Sequence, residues 1–149
     1  MGPVIAPGSR VLLDTVTLIH FLEGGGARQR VAERILSRIE QGRLHGLLSA
    51  LAYTELLVPL YRDGEDPEAR RLAARLAAFR NLETVPLTAE IAIEAARLRA
   101  MHGLRTPDAI HAATALVAGA DGIVTNDRGF RRLDGTSLKV WLIDELASE

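Results

Sequence analysis

The chain has 149 residues, 48% of them hydrophobic and 25% charged, with a formal charge of −1. That length holds one domain with a real core and is short for two, and the composition excludes a disordered chain. The absence of cysteine excludes disulfides, thiolate zinc sites and cysteine nucleophiles.

The first residues contain Pro3, Pro7 and Gly8 and carry neither the basic start nor the apolar run of a signal peptide or membrane span. The expectation is a soluble, cytoplasmic protein with one domain over residues 1–149, in which residues 1–9 form a loosely ordered lead. Aromatic residues make up only 4%, so the core is expected to be aliphatic, without large stacking platforms for bases. Of the 18 basic residues all but Lys139 are arginine. Arginine suits bidentate phosphate contacts, although a GC-rich genome produces the same bias.

In chain order, Arg10 to Leu13 is a short apolar run ending at Asp14, and Thr15 to about Glu23 is helix-compatible. Gly24-Gly25-Gly26 interrupts this, after which Val31, Ile35, Leu36 and Ile39 recur at helical spacing up to Gly42, predicting a second helix with a glycine stop. Leu44 to Ser49 reads as a strand and Leu51 to about Tyr61 as a helix that Pro59 kinks or ends. Asp63 to Pro67 has loop composition. From Glu68 to Arg80, Leu72, Leu76 and Phe79 share one face of an amphipathic helix, followed by a brief strand from Glu83 to Leu87. Thr88 is a predicted N-cap for a helix to His102, closed by Gly103. Thr106-Pro107 opens another helix, with proline in its first turn. Gly122 to Thr125 and Leu138 to Ile143 are the last strands. Short apolar strands alternating with amphipathic helices predict an α/β domain whose mostly parallel sheet is covered by helices on both faces.

In such sheets, sites form beyond the carboxyl ends of strands. Asp14 and Asp127 both stand there, Asp108 begins a helix, and Glu55 lies inside the apolar run Leu51 to Val58. Each has an ordinary explanation: an aspartate at a helix start caps backbone N–H groups, and Glu55 fits a narrow solvated stripe. Those explanations do not account for four acids in apolar contexts where they are able to converge. Two carboxylates about 4 Å apart repel by roughly 4 kcal/mol at an effective dielectric near 20, so a cluster needs a counter-charge. An all-oxygen set suits a hard divalent cation such as Mg²⁺ or Mn²⁺, and that combination suits phosphodiester hydrolysis.

Four segments carry a family resemblance. They are Val11-Leu12-Leu13-Asp14-Thr15 with its following helix, Tyr53-Thr54-Glu55-Leu56 preceded by Ser49, Thr106-Pro107-Asp108-Ala109-Ile110-His111-Ala112-Ala113-Thr114-Ala115, and Ile123-Val124-Thr125-Asn126-Asp127-Arg128-Gly129-Phe130. In this order they resemble the PIN domain, in particular the small VapC-type toxins of type II toxin–antitoxin pairs, over nearly the whole chain. The resemblance implies a Mg²⁺- or Mn²⁺-dependent endoribonuclease with Asp14, Glu55, Asp108 and Asp127 as its acidic metal site. It also implies an RNA substrate, a cognate antitoxin partner and a homodimer. Val16 stands where the family often has Ser or Asn, so Thr15 or Thr17 is expected to supply that polar contact, and Thr125 to order Asp127.

Asp14 and Asp108 are expected as the most direct ligands, Asp127 as completing the site and Glu55 as ligand or water-orienting base. Arg128, Arg131 and Arg132 flank Asp127 as candidate RNA contacts, against a merely solvated face. His111 and His20 read as structural histidines. A phosphoacceptor domain would need paired acids after the first strand and a late lysine, and a serine hydrolase a Gly-x-Ser-x-Gly elbow; neither pattern is present. A non-catalytic PIN-like module for RNA or protein binding is the remaining alternative, and it would fit better had an acid been lost.

Overall fold

The apolar runs form five strands: β1 (Arg10–Leu13), β2 (His45–Ser49), β3 (Leu82–Val85), β4 (Gly122–Thr125) and β5 (Lys139–Leu142). They pair in the order β3-β2-β1-β4-β5, every pairing parallel. The computed structural model describes residues 4–146. Its helices are α1 (Thr15–Glu23), α2 (Gly26–Glu40), α3 (Leu51–Arg62), α4 (Asp66–Ala78), α5 (Ala89–His102), α6 (Thr106–Val117) and α7 (Ile143–Leu146), with a 3-10 helix at Arg128–Leu133. Among the described residues no helix is long and apolar enough to cross a membrane.

Strand side chains alternate between faces with period two, and here both faces are buried. Val11, Leu13, Leu48, Val124 and Trp141 enter one core with Leu18, Ile35, Leu36 and Leu56. Leu12, Leu47, Ile123, Val140 and Leu142 enter the other with Leu98, Ala109, Ala112 and Phe130. Two covered faces explain why the strands read as continuous apolar runs rather than alternating ones.

The strand order positions the site. The chain runs outward from β1 through β2 to β3, then returns to place β4 on the other side of β1. Between β1 and β4 the winding reverses, which opens a crevice beyond their carboxyl ends. The residues following these two strands include Asp14 and Asp127.

Several boundaries differ from the sequence expectation. Pro59 lies inside α3, which continues to Arg62. The missing donor costs one helical bond, and the Pro59 carbonyl still accepts from Asp63 N at the helix end. Asp66 and Pro67 belong to the first turn of α4 instead of the loop, as suits proline near a helix start. The second helix begins earlier, at Gly26. The 3-10 helix and α7 were not anticipated, being too short to show a period. Of the expected N-terminal lead, residues 1–3 fall outside the described set. Ile5, by contrast, is buried, its carbonyl accepts from Arg38, and Gly8 N donates to Arg43 O.

Candidate active site

Asp14 sits at the bottom of the crevice. It is the N-cap of α1, with Oδ1 accepting from Thr15 N at 2.8 Å and Oδ2 accepting from the Thr125 hydroxyl at 2.7 Å. Its side chain is 11% exposed. Burial pushes its carboxyl above the usual aspartate range, helped by the nearby charge of Asp108 and opposed by His111, Thr125 and Thr15. Thr125 also accepts from Asp127 N at 3.1 Å, so one hydroxyl joins the ends of β1 and β4. Val16 donates no side-chain bond; Thr15 and Thr17 take up polar contacts instead, Thr15 to Glu55 and Thr17 to the Val124 carbonyl.

Glu55, on α3, accepts from the Thr15 hydroxyl at 2.8 Å and from His111 Nε2 at 2.6 Å, both on Oε1. The His111 hydrogen bond holds its carboxyl below the usual range, outweighing partial burial, with help from Thr15, His111 and Arg105. His111, expected to be structural, is 1% exposed and also lies 3.8 Å from Asp14 Oδ1. Burial alone would depress its pKa, yet the Glu55 bond and the charges of Asp14, Glu55 and Asp108 together raise it. Among the described residues its buried Nδ1 has no partner, and Nε2, facing the Glu55 carboxylate, is the nitrogen that donates. His20, in the last turn of α1, enters none of these contacts.

Asp108 and Asp127 form the outer part. Asp108 lies in the first turn of α6. Asp127 caps the 3-10 helix through Gly129 N at 2.8 Å, where only glycine fits easily, because a Cβ at 129 would stand 3.0 Å from Asp127 Oδ1. Arg105 serves both acids: its Nε donates to Asp108 Oδ2 at 3.1 Å, and a terminal nitrogen lies 3.7 Å from Asp127 Oδ2. Sequence reading passed over this residue. The signal was the spacing 105, 108, 111, one face at successive three-residue steps.

The other candidate arginines divide. Arg131 is engaged by Glu145, Asp134 and the Val140 carbonyl, and Arg132 donates to Gly103 O at 2.7 Å. Arg128 is exposed beside Asp127. Arg131 and Arg132 thus hold the fold around the site, leaving Arg128 as the more available of the three.

A chain of contacts therefore links all four acids: Asp14 to Glu55 through Thr15 and His111, Asp14 to the Asp127 backbone through Thr125, and Asp127 to Asp108 through Arg105. The donor set fits a hard cation in kind, being carboxylate oxygens with one buried member. As the side chains stand, no group of three or more among the described residues is gathered closely enough to hold a metal ion; each acid is satisfied by protein donors instead.

The sequence matches the PIN domain family over residues 11–136. The chain belongs to the PIN domain family. No curated protein matches it significantly, but solved structures do. A VapBC2 complex from Rickettsia felis bound to promoter DNA superposes with a TM-score of 0.68 at 17% identity, covering 89% of this chain and 98% of that one. VapBC-1 from nontypeable Haemophilus influenzae gives 0.68 at 20% identity, over 91% and 98%. VapC20 of Mycobacterium tuberculosis, a toxin that cleaves the sarcin-ricin loop, gives 0.59 at 20% identity, over 76% and 86%. At these identities the likeness establishes the fold, and this PIN domain has the family's five-stranded parallel sheet.

Proposed function

We propose that this PIN domain is a Mg²⁺- or Mn²⁺-dependent endoribonuclease and the toxin half of a toxin–antitoxin pair. The observation that carries this reading is the buried Asp14 carboxylate at the β1/β4 switch point, linked through Thr15 to Glu55 and, through charge, to Asp108. A carboxylate kept there against its desolvation cost suits a group that is to meet a cation.

In this reading Asp14 and Asp108 hold the cation, Asp127 completes the site and Glu55 orients the attacking water. The cation, when bound, activates that water and offsets charge developing on the phosphate. Thr15 and His111 hold Glu55 by Oε1, which leaves Oε2 as the oxygen for that water. Its lowered pKa keeps it ionised, an acceptor that orients the water by hydrogen bonding. Thr125 fixes Asp14 and the Asp127 backbone together, so two strand ends keep one spacing. Arg128 is the proposed phosphate contact.

The antitoxin role is supported by likeness to toxin–antitoxin complexes and by a groove of about 530 Å³ between α1, α3 and α4. Ile19, Leu22, Leu56, Leu60 and Leu72 line it, and it reaches Glu55. An amphipathic antitoxin helix fits such a surface. A homodimer in the cytoplasm completes the proposal. The alternative, a non-catalytic PIN-like module, is favoured by one observation, the engagement of every acid by protein donors; retention of all four acids weighs against it.

Incubating the purified chain with RNA tests the reading. Cleavage is expected with Mg²⁺ or Mn²⁺ and not with EDTA, and Asp108→Asn is expected to abolish it with an unchanged circular dichroism spectrum. Cleavage that persists in EDTA overturns the metal mechanism, and no cleavage of any RNA with either metal favours the binding module.

A further inference from the structure

The backbone at Arg105 is fixed while its side chain is exposed. The turn that carries it is held from two sides: Arg99 Nε donates to Leu104 O at 3.0 Å and Arg132 donates to Gly103 O at 2.7 Å. Gly103 closes α5 at a φ of 68°, a left-handed position that glycine adopts without strain. The Arg105 carbonyl then accepts from Ala109 N as the first bond of α6. Beyond this rigid backbone the side chain is 77% exposed, yet it reaches Asp108 and Asp127, and its charge is felt by Glu55. One contact is a hydrogen bond and the other an ion pair too long to be one.

A guanidinium in that place performs the task that a divalent cation would perform for the same acids. The outer carboxylates repel each other, and an exposed arginine relieves the repulsion at modest strength, since solvated ion pairs are weak. The planar fork that matches a carboxylate matches a phosphate equally well.

We propose that Arg105 is an exchangeable counter-cation of the acidic site, gripping Asp108 and Asp127 when no metal is bound, competing with the divalent cation for them, and turning to the RNA phosphate backbone when displaced. The inference rests on the metal-dependent nuclease reading. Two consequences follow. Metal binding is weaker than the four acids alone would give, because the cation must displace an internal competitor. Substrate binding improves once metal has entered, because the freed guanidinium is then available to RNA.

Mn²⁺ affinity, measured by electron paramagnetic resonance on the full chain without RNA, separates this role from general electrostatics. Arg105→Gln is expected to bind Mn²⁺ about three- to tenfold more tightly than wild type, in keeping with two partly exposed contacts. Arg128→Gln removes the same charge next to Asp127 and is expected to change affinity less than about twofold. Arg105→Lys keeps the charge but loses the fork, and is expected to fall between wild type and Arg105→Gln. In RNA cleavage with saturating Mn²⁺, Arg105→Gln is expected to raise KM severalfold while kcat moves less.

If Arg105→Gln leaves Mn²⁺ affinity unchanged or weakens it, the competition is overturned. If Arg128→Gln tightens binding equally, the effect is net charge and the specific role is overturned. An unchanged KM overturns the phosphate contact. If wild type and all variants fail to bind Mn²⁺, the metal-site reading fails and this inference with it, a result distinct from binding without a shift.

Discussion

The two halves of the acidic site are built on opposite principles. Asp14 and Glu55 are served by His111, which is 1% exposed and packed into the core, whereas Asp108 and Asp127 are served by Arg105, which is 77% exposed. In the inner half the counter-group is immobilised; burial pushes the Asp14 carboxyl up, whereas at Glu55 the His111 bond outweighs burial and holds the carboxyl down. In the outer half Asp108 is 17% and Asp127 44% exposed, and because the shared guanidinium itself is exposed, water screens the ion pairs. The comparison teaches that a single cluster of acids is able to combine a fixed, desolvated anchor with an adjustable rim.

The sharpest break of that comparison is Asp14→Asn. RNA cleavage is expected to fall by about a hundredfold or more, since a charge lost from a metal-ion site withdraws several kcal/mol of stabilisation. Stability is expected to move the other way. Because burial raises the Asp14 pKa, the folded protein holds that proton more tightly than the unfolded chain does. The ionised form therefore weakens the fold near neutral pH, and this penalty vanishes as the pH falls through the folded pKa toward the ordinary value of 3.8. Metal-free Asp14→Asn should melt at a higher temperature than wild type near neutral pH, with the gap closing on acidification. A lower melting temperature at neutral pH would show that the carboxylate is not under strain.

Thr125→Val removes the hydroxyl shared by Asp14 and the Asp127 backbone. Loss of such a supporting contact typically costs about 10- to 100-fold in metal affinity or activity, and Mn²⁺ binding together with cleavage rate measures it. An effect as small as that of an exposed substitution would mean that the two strand ends are held by backbone alone. His111→Phe, which keeps a ring in the core but frees Glu55, is expected to lower kcat about tenfold. His111→Gln, able to donate again toward Glu55, is expected to recover part of that loss. Among the acids the smaller effect belongs to the rim: Asp127→Asn is expected to reduce cleavage less than Asp14→Asn, by about tenfold, because solvent and Arg105 compensate. If the two aspartate variants are equally damaged, the distinction between anchor and rim disappears.

Much of this architecture was legible in the sequence, because caps and periodicity are local. The Thr88 cap, whose hydroxyl accepts from Ile91 N, and the Gly103 stop are both readable from single residues, and the strand ends at Leu13 and Thr125 fall where the apolar runs stop. The convergence of Asp14 and Asp127 was not, since it depends on β4 returning to pair with β1, a contact between segments more than a hundred residues apart. His111 and Arg105 were underestimated for a related reason. A histidine in an alanine-rich helix and an arginine ahead of a proline each look ordinary, and only the approach of α3 and of the β4 end supplies Glu55 and Asp127 as their partners. Arg131 and Arg132 have partners that no local pattern reveals: Glu145 engages the first, and the second donates to the Gly103 carbonyl.

The central claim, that the four acids act as one metal site, is tested most directly by titrating Mn²⁺ into wild type, Asp14→Asn, Glu55→Gln, Asp108→Asn and Asp127→Asn under the same conditions. One site predicts weaker Mn²⁺ binding in all four variants, with the greatest loss at Asp14 and Asp108. Wild-type affinity in the Asp14→Asn variant, or no Mn²⁺ binding by the wild-type chain, would contradict it.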